Sequence, residues 1–122
     1  MKARVWKLLG LAFIMLLAMS TANAVHAVGV TASIPVGSSP SSVAYDSGKG
    51  EIFVANGGTN TVSVISDSTN AVVATVTVGT SPYDTPMGVA YDPGKGEIFV
   101  ANSISGSVSV ISDSTNKVVA NI

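Results

Sequence analysis

The chain has 122 residues, with six basic side chains, seven acidic ones, one histidine and no cysteine. One modest domain fits that length. The lack of cysteine excludes disulfide stapling and thiol chemistry, and so few basic residues exclude the Lys and Arg clusters that nucleic-acid phosphates require.

The chain begins with Lys2, Arg4 and Lys7, then the apolar run Leu8–Met19, then "STANA". A basic start, about a dozen apolar residues and an A-x-A site at Ala22-Asn23-Ala24 have the layout of a secretory signal peptide. The run is shorter than the roughly 20 residues that span a bilayer. Residues 1–24 therefore read as a cleaved leader, with Val25-His26-Ala27 offering an alternative cut after 27. The mature chain, 25–122, is then expected to carry no membrane span. It keeps Lys49, Lys95 and Lys117 against seven acids, a net charge of about −4, so nucleic acid is not an expected partner. No Asn-x-Ser/Thr sequence occurs, so N-glycosylation by that rule is not expected.

Past the leader the sequence repeats. "AYDSGKGEIFVAN" (Ala44–Asn56) returns 46 positions later as Ala90–Asn102, differing only where Ser47 gives way to Pro93. "TVSVISDSTNAVVA" (Thr61–Ala74) matches "SVSVISDSTNKVVA" (Ser107–Ala120) at the same offset. "VTASIPVG" (Val30–Gly37) matches "VVATVTVG" (Val72–Gly79) at an offset of 42, and the difference is a four-residue insertion around Ser81–Asp84. A period of 42–46 residues points to a propeller or a solenoid.

Taken in chain order, Val30–Val36 reads as the outer strand of a preceding unit. The first full unit, 39–78, opens with the strand "SVAYD" and a turn, Ser47–Gly50, where glycine supplies positive φ. "EIFVAN" follows with four consecutive apolar residues, Ile52–Ala55, which predicts a strand buried on both faces. "TVSVIS" alternates, with Val62 and Val64 on one side and Ser63 and Ile65 on the other. After the polar turn "DSTN", "VVATVTV" is expected to place Val72, Ala74, Val76 and Val78 on one face. The second unit, 85–122, repeats this order.

Polarity rises from the second strand to the fourth. That gradient suits a four-stranded antiparallel blade, whose middle lies between neighbouring blades and whose outer strand meets solvent. The Val, Ile and Thr content and the closely spaced Gly and Asn turns disfavour helical repeats. A parallel β-helix is the alternative, although its coils are usually shorter. The fold class is all-β: β-propeller repeats, two four-stranded antiparallel blades plus one extra outer strand, an incomplete propeller.

"FVAN…TVSVISDSTNAVVATVTVG" resembles the YVTN-type β-propeller repeat, with Phe53-Val54-Ala55-Asn56 and Phe99-Val100-Ala101-Asn102 standing where Tyr-Val-Thr-Asn would. The family occurs in archaeal surface-layer and other secreted proteins and in bacterial relatives of a periplasmic propeller. The resemblance implies a seven-bladed or similar ring outside the cytoplasm. It does not imply one activity, since related propellers include lactonase-, lyase- and quinoprotein-like enzymes as well as binding scaffolds.

Propellers use about four to eight blades, and two are present here. Leaving roughly eight Val, Ile and Phe side chains wet, at about 1.5–3 kcal/mol each, rivals the roughly 5–15 kcal/mol that stabilises a typical domain. Self-association or further blades are therefore expected to close a ring. Three or four copies would supply about six or eight blades, with Val30–Val36 displacing Val118–Ile122 of a neighbour.

The inventory for catalysis is thin. His26, the one histidine, sits at the cleavage junction, so no Ser-His or Cys-His pair is available. Neither a transition-metal ligand spacing nor a D-x-D-x-D-G calcium loop occurs. No catalytic, cofactor-binding or metal residue is assigned, and no enzyme activity is expected. Six carboxylates form repeat-matched pairs beside turns (Asp46 with Asp92, Glu51 with Glu97, Asp67 with Asp113) and read as solvated turn residues. Phe53, Asn56, Phe99 and Asn102 read as structural parts of the repeat. Tyr83 and Asp84, between Pro82 and Pro86 in the insertion, form the candidate interaction loop. The functional expectation is an exported binding or structural scaffold at the cell surface or envelope (periplasmic in a cell with two membranes), with an envelope protein or glycan as partner. The alternative is a fragment of a secreted propeller enzyme whose active site lies in other blades.

Overall fold

The computed structural model describes residues 28–122. The expected leader, both cleavage sites and His26 lie outside the described residues. Eight strands follow one another: β1 (Pro40–Asp46), β2 (Glu51–Asn56), β3 (Thr61–Ser66), β4 (Ala71–Thr77), β5 (Pro86–Asp92), β6 (Glu97–Asn102), β7 (Ser107–Ser112) and β8 (Lys117–Asn121). They form two antiparallel four-stranded sheets, β1-β2-β3-β4 and β5-β6-β7-β8. Each sheet is one unit of the repeat.

Turn chemistry fixes the meander. Gly50, Asn60 and Asn70 in the first blade, and Gly96, Gly106 and Asn116 in the second, all have φ between 52° and 66°. Only glycine and asparagine visit this left-handed region readily. At five of the six positions the residue's N–H donates to the carbonyl four residues back, as in Gly50 to Asp46 (2.9 Å) and Asn116 to Ser112 (2.9 Å). Asp46 and Asp92 brace the first turn of their blades by accepting from Gly48 and Gly94, both at 2.8 Å.

Cross-strand register defines two faces for each blade. In the first blade Ala44, Phe53, Val64 and Ala74 form one row, while Tyr45, Ile52, Ile65 and Val72 form a row on the opposite face. In the second blade Ala90, Phe99, Val110 and Ala120 match the first row, and Tyr91, Ile98, Ile111 and Val118 match the second. The core forms where unlike faces meet. Phe53, Val62, Val64 and Val76 of the first blade pack on Ile98, Val100 and Ile111 of the second. At the inner edge Ser41 donates to the Pro86 carbonyl (3.0 Å), and the Val89 N–H donates to the Ser42 hydroxyl (3.1 Å). β1 and β5 run close together while β4 and β8 scarcely meet, so the pair is a wedge.

Three expectations change. Val30–Val36 forms no strand and joins neither sheet, since a strand needs a partner edge and this segment pairs with none among the described residues. Val72 falls on the face opposite Ala74 and Val76: a bulge shifts the β3–β4 register between Val64 and Ile65, so Val72 pairs with Ile65 and Val73 is the extra residue. The same bulge recurs between Val110 and Ile111. Of the expected doubly buried run Ile52–Ala55, Phe53, Val54 and Ala55 are buried and Ile52 only partly, while in β6 Phe99 is half-buried and Ala101 exposed, because one face of the second blade has no neighbour.

Candidate interaction site

The repeat asparagines are internal braces. Asn56 is fully buried, and its side-chain amide donates to Thr61 (3.2 Å) and Ser63 (2.9 Å). Asn102 does the same toward Ser107 (3.1 Å) and Ser109 (2.9 Å). The Ser109 hydroxyl also accepts from the Gly79 N–H at 2.8 Å and donates to the Asn121 side chain at 2.7 Å. These bonds tie the crossover between blades to the middle of the second sheet.

The insertion splits its two candidate residues between different tasks. Tyr83 is 75% exposed, whereas Asp84 is completely buried. One Asp84 carboxylate oxygen accepts from the backbone N–H groups of Thr80 and Ser81, the latter at 2.7 Å. These bonds, that of Ser81 first, hold its carboxyl below the usual carboxylate range against the opposing effect of burial. Asp84 therefore stabilises the loop above the ordinary carboxylate pKa, and that contribution is lost as pH falls through its lowered folded value. Asn60 secures the far side by accepting from the Thr85 N–H at 3.0 Å. Of the pair, Tyr83 is the side chain a partner would meet.

At the opposite end of the strands lies a cluster that the sequence reading missed. Asp46 was expected to be solvated; it is fully buried at the junction between blades. The Tyr91 hydroxyl donates to the Asp113 carboxylate at 3.2 Å, with Asp46 close enough to raise its pKa further. Lys49 of the first blade donates to the Asp113 carbonyl at 2.6 Å. Burial, then the neighbouring Asp46 carboxylate, then the bond and charge of Asp113, push the Tyr91 phenol up to about 12. The available signal was the Tyr-Asp pair that closes the first strand of each unit, Tyr45-Asp46 and Tyr91-Asp92.

The raised phenol has a signed consequence. The folded state favours the protonated form, so this contribution is complete below the ordinary tyrosine value of about 10. It is lost as pH rises from there through about 12. Thermal midpoints measured across that window should fall in step with tyrosinate absorbance, and Tyr91→Phe should remove that part of the fall. An unchanged slope in Tyr91→Phe would remove Tyr91 as its source.

No protein-family model matches the chain, and no curated protein does. Solved structures match its fold. Hydrazine synthase of Kuenenia stuttgartiensis superposes with a TM-score of 0.69 at 23% identity, over 76% of this chain and 26% of that one. Two structures of AztD from Citrobacter koseri, one of them apo, superpose with TM-scores of 0.61 and 0.62 at 17% identity. They cover 73% and 78% of this chain and 24% and 28% of theirs. These neighbours are β-propeller-type proteins, and the two sheets here are adjacent blades of an unclosed propeller. The chain spans about a quarter of the length of the structures it matches.

Proposed function

We propose that the chain is an exported propeller repeat protein of YVTN type that acts as a binding or structural scaffold at the cell surface or envelope. The observation that carries this reading is what the recurring polar residues do. Asn56 and Asn102 brace hairpins, Asp67 and Asp113 each accept from the tyrosine of their own blade, and Asp46 lies buried beside Tyr91 at the junction, so the repeated chemistry maintains a frame. The basic start, apolar run and A-x-A site support export. Tyr83, exposed on a loop whose other members are tied down, offers an aromatic face to an envelope protein or glycan.

Expression of the full chain with a C-terminal epitope in a secretion-competent cell tests the proposal. The expected product starts at Val25 or Val28 and fractionates with the envelope or medium. An uncut chain retained in the cytoplasm would overturn it. A piece of a propeller enzyme of lactonase-, lyase- or quinoprotein-like type is the second reading, favoured by the quarter-length match to longer propellers, one of them a synthase. That reading requires further repeats in the same open reading frame.

A further inference from the structure

The junction inside the chain shows what each open face lacks. Phe53, Ala55 and Val62 are fully buried by the second blade. Their counterparts Phe99, Ala101 and Val108 line an open, largely apolar hollow of about 310 Å³ with Gly88, Val89 and Ala90. The other face of the first blade buries Val54 and Ile65 but is open along β1. Val89 and Tyr91 are packed against the core, while their counterparts Val43 and Tyr45 are 63% and 53% exposed.

The polar cluster is cut in half in the same way. Tyr45 already donates to Asp67 at 2.9 Å, as Tyr91 does to Asp113, but has no carboxylate in the place Asp46 takes beside Tyr91. Asp92 and Lys95, counterparts of Asp46 and Lys49, stand on the blade with the open hollow. One edge of the molecule thus carries Tyr45 with the Asp67 carbonyl, and the other carries Asp92 with Lys95, the two complementary halves of the junction.

We infer that a second copy of this chain is the occupant of both faces, packing head to tail so that three or four copies close a ring. In the new junction Phe99, Ala101 and Val108 of one copy cover Val43 and Tyr45 of the next. Asp92 takes the place of Asp46 beside Tyr45, and Lys95 reaches the Asp67 carbonyl. Unlike faces meet, so the contact is heterologous and propagates until it closes. The inner edge of the new junction is weaker than the one within the chain, because Ser41 and Ser42 are matched by Met87 and Gly88, which lack hydroxyls. Val30–Val36 and the β8 segment occupy equivalent places in the repeat, so one yields when copies meet. The inference rests on the propeller scaffold described above and concerns how that scaffold is completed.

Light scattering on the purified chain should show a discrete species of three or four copies at high concentration. Val43→Asp and Ala101→Asp alter side chains exposed in the single chain, so each variant should remain folded by circular dichroism and become monomeric. A mixture of the two retains one intact pair of faces and should yield dimers and nothing larger. Asp92→Ala should weaken assembly by roughly tenfold or more. If either aspartate variant fails to fold, Lys95→Glu serves in its place and should weaken assembly as Asp92→Ala does. A wild-type chain that stays monomeric, or a Val43→Asp variant that still dimerises through like faces, would overturn the inference. Either result leaves export and surface location untouched, and an uncut cytoplasmic chain that still forms rings would fail the functional reading alone.

Discussion

Phe53→Ala should cost about 3–5 kcal/mol, as expected for emptying a large aromatic site in a sealed core. The ring is fully buried in the row Ala44, Phe53, Val64 and Ala74, against Ile98 and Val100 of the second blade. Such a loss takes a large share of the roughly 5–15 kcal/mol that holds a typical domain together. Phe99→Ala is the internal control. It removes the same side chain from an identical hexapeptide, but Phe99 is only half-buried, and the cost in a single chain should be no more than about 2 kcal/mol. Urea midpoints for the two variants check this directly. Equal losses in a monomeric sample would mean that the assignment of covered and open faces is wrong.

Gly79→Ala should be nearly as damaging, at about 3 kcal/mol or more. Gly79 has φ of 79°, and a Cβ there would collide with the Asp84 side chain. Accommodating it pushes Asp84 off the Thr80 and Ser81 amides and strains the crossover that its own N–H ties to Ser109. Gly106→Ala is the contrast. Its φ is also positive, at 65°, but nothing lies within 4 Å of the added carbon, so the penalty is conformational and about 1 kcal/mol. Thermal unfolding should separate the pair. Amide exchange at Thr80 and Ser81 should rise only in Gly79→Ala, and unchanged protection there would refute the role given to Asp84.

Much of the blade architecture was legible because it is written twice. A stretch that returns at a fixed offset, with turn residues in the same places, fixes where strands begin and end. The bulge at Val73 was not legible, since an alternating pattern of valines and threonines continues through it and nothing in residue type marks the skipped position. Nor was the fate of Val30–Val36. Its residues suit a strand, but a strand exists only with a partner edge, and that edge is not in the sequence of the segment itself.

The candidate site divides in the same manner. The insertion stood out because it breaks the period, and the proline-flanked Tyr83-Asp84 pair marked it. Which of the two faces outward depends on backbone amides converging on Asp84, which sequence does not display. Asp46 and Asp92 look interchangeable as letters. They differ because one has a blade beside it and the other does not, so their environments were decided by position in the stack.

The identity of β2 and β6 carries a hazard during synthesis. Both are Glu-Ile-Phe-Val-Ala-Asn, and each follows an Ala-Tyr-Asp strand end of the same composition. While the nascent polypeptide is still searching, β1 gains as much by joining the later hexapeptide as the nearer one, apart from the entropy of a longer loop, which grows only slowly with length. Proximity and order of emergence therefore have to do what side-chain specificity cannot. Refolding from denaturant, where both hexapeptides compete at once, is exposed to swapped pairings that vectorial synthesis avoids.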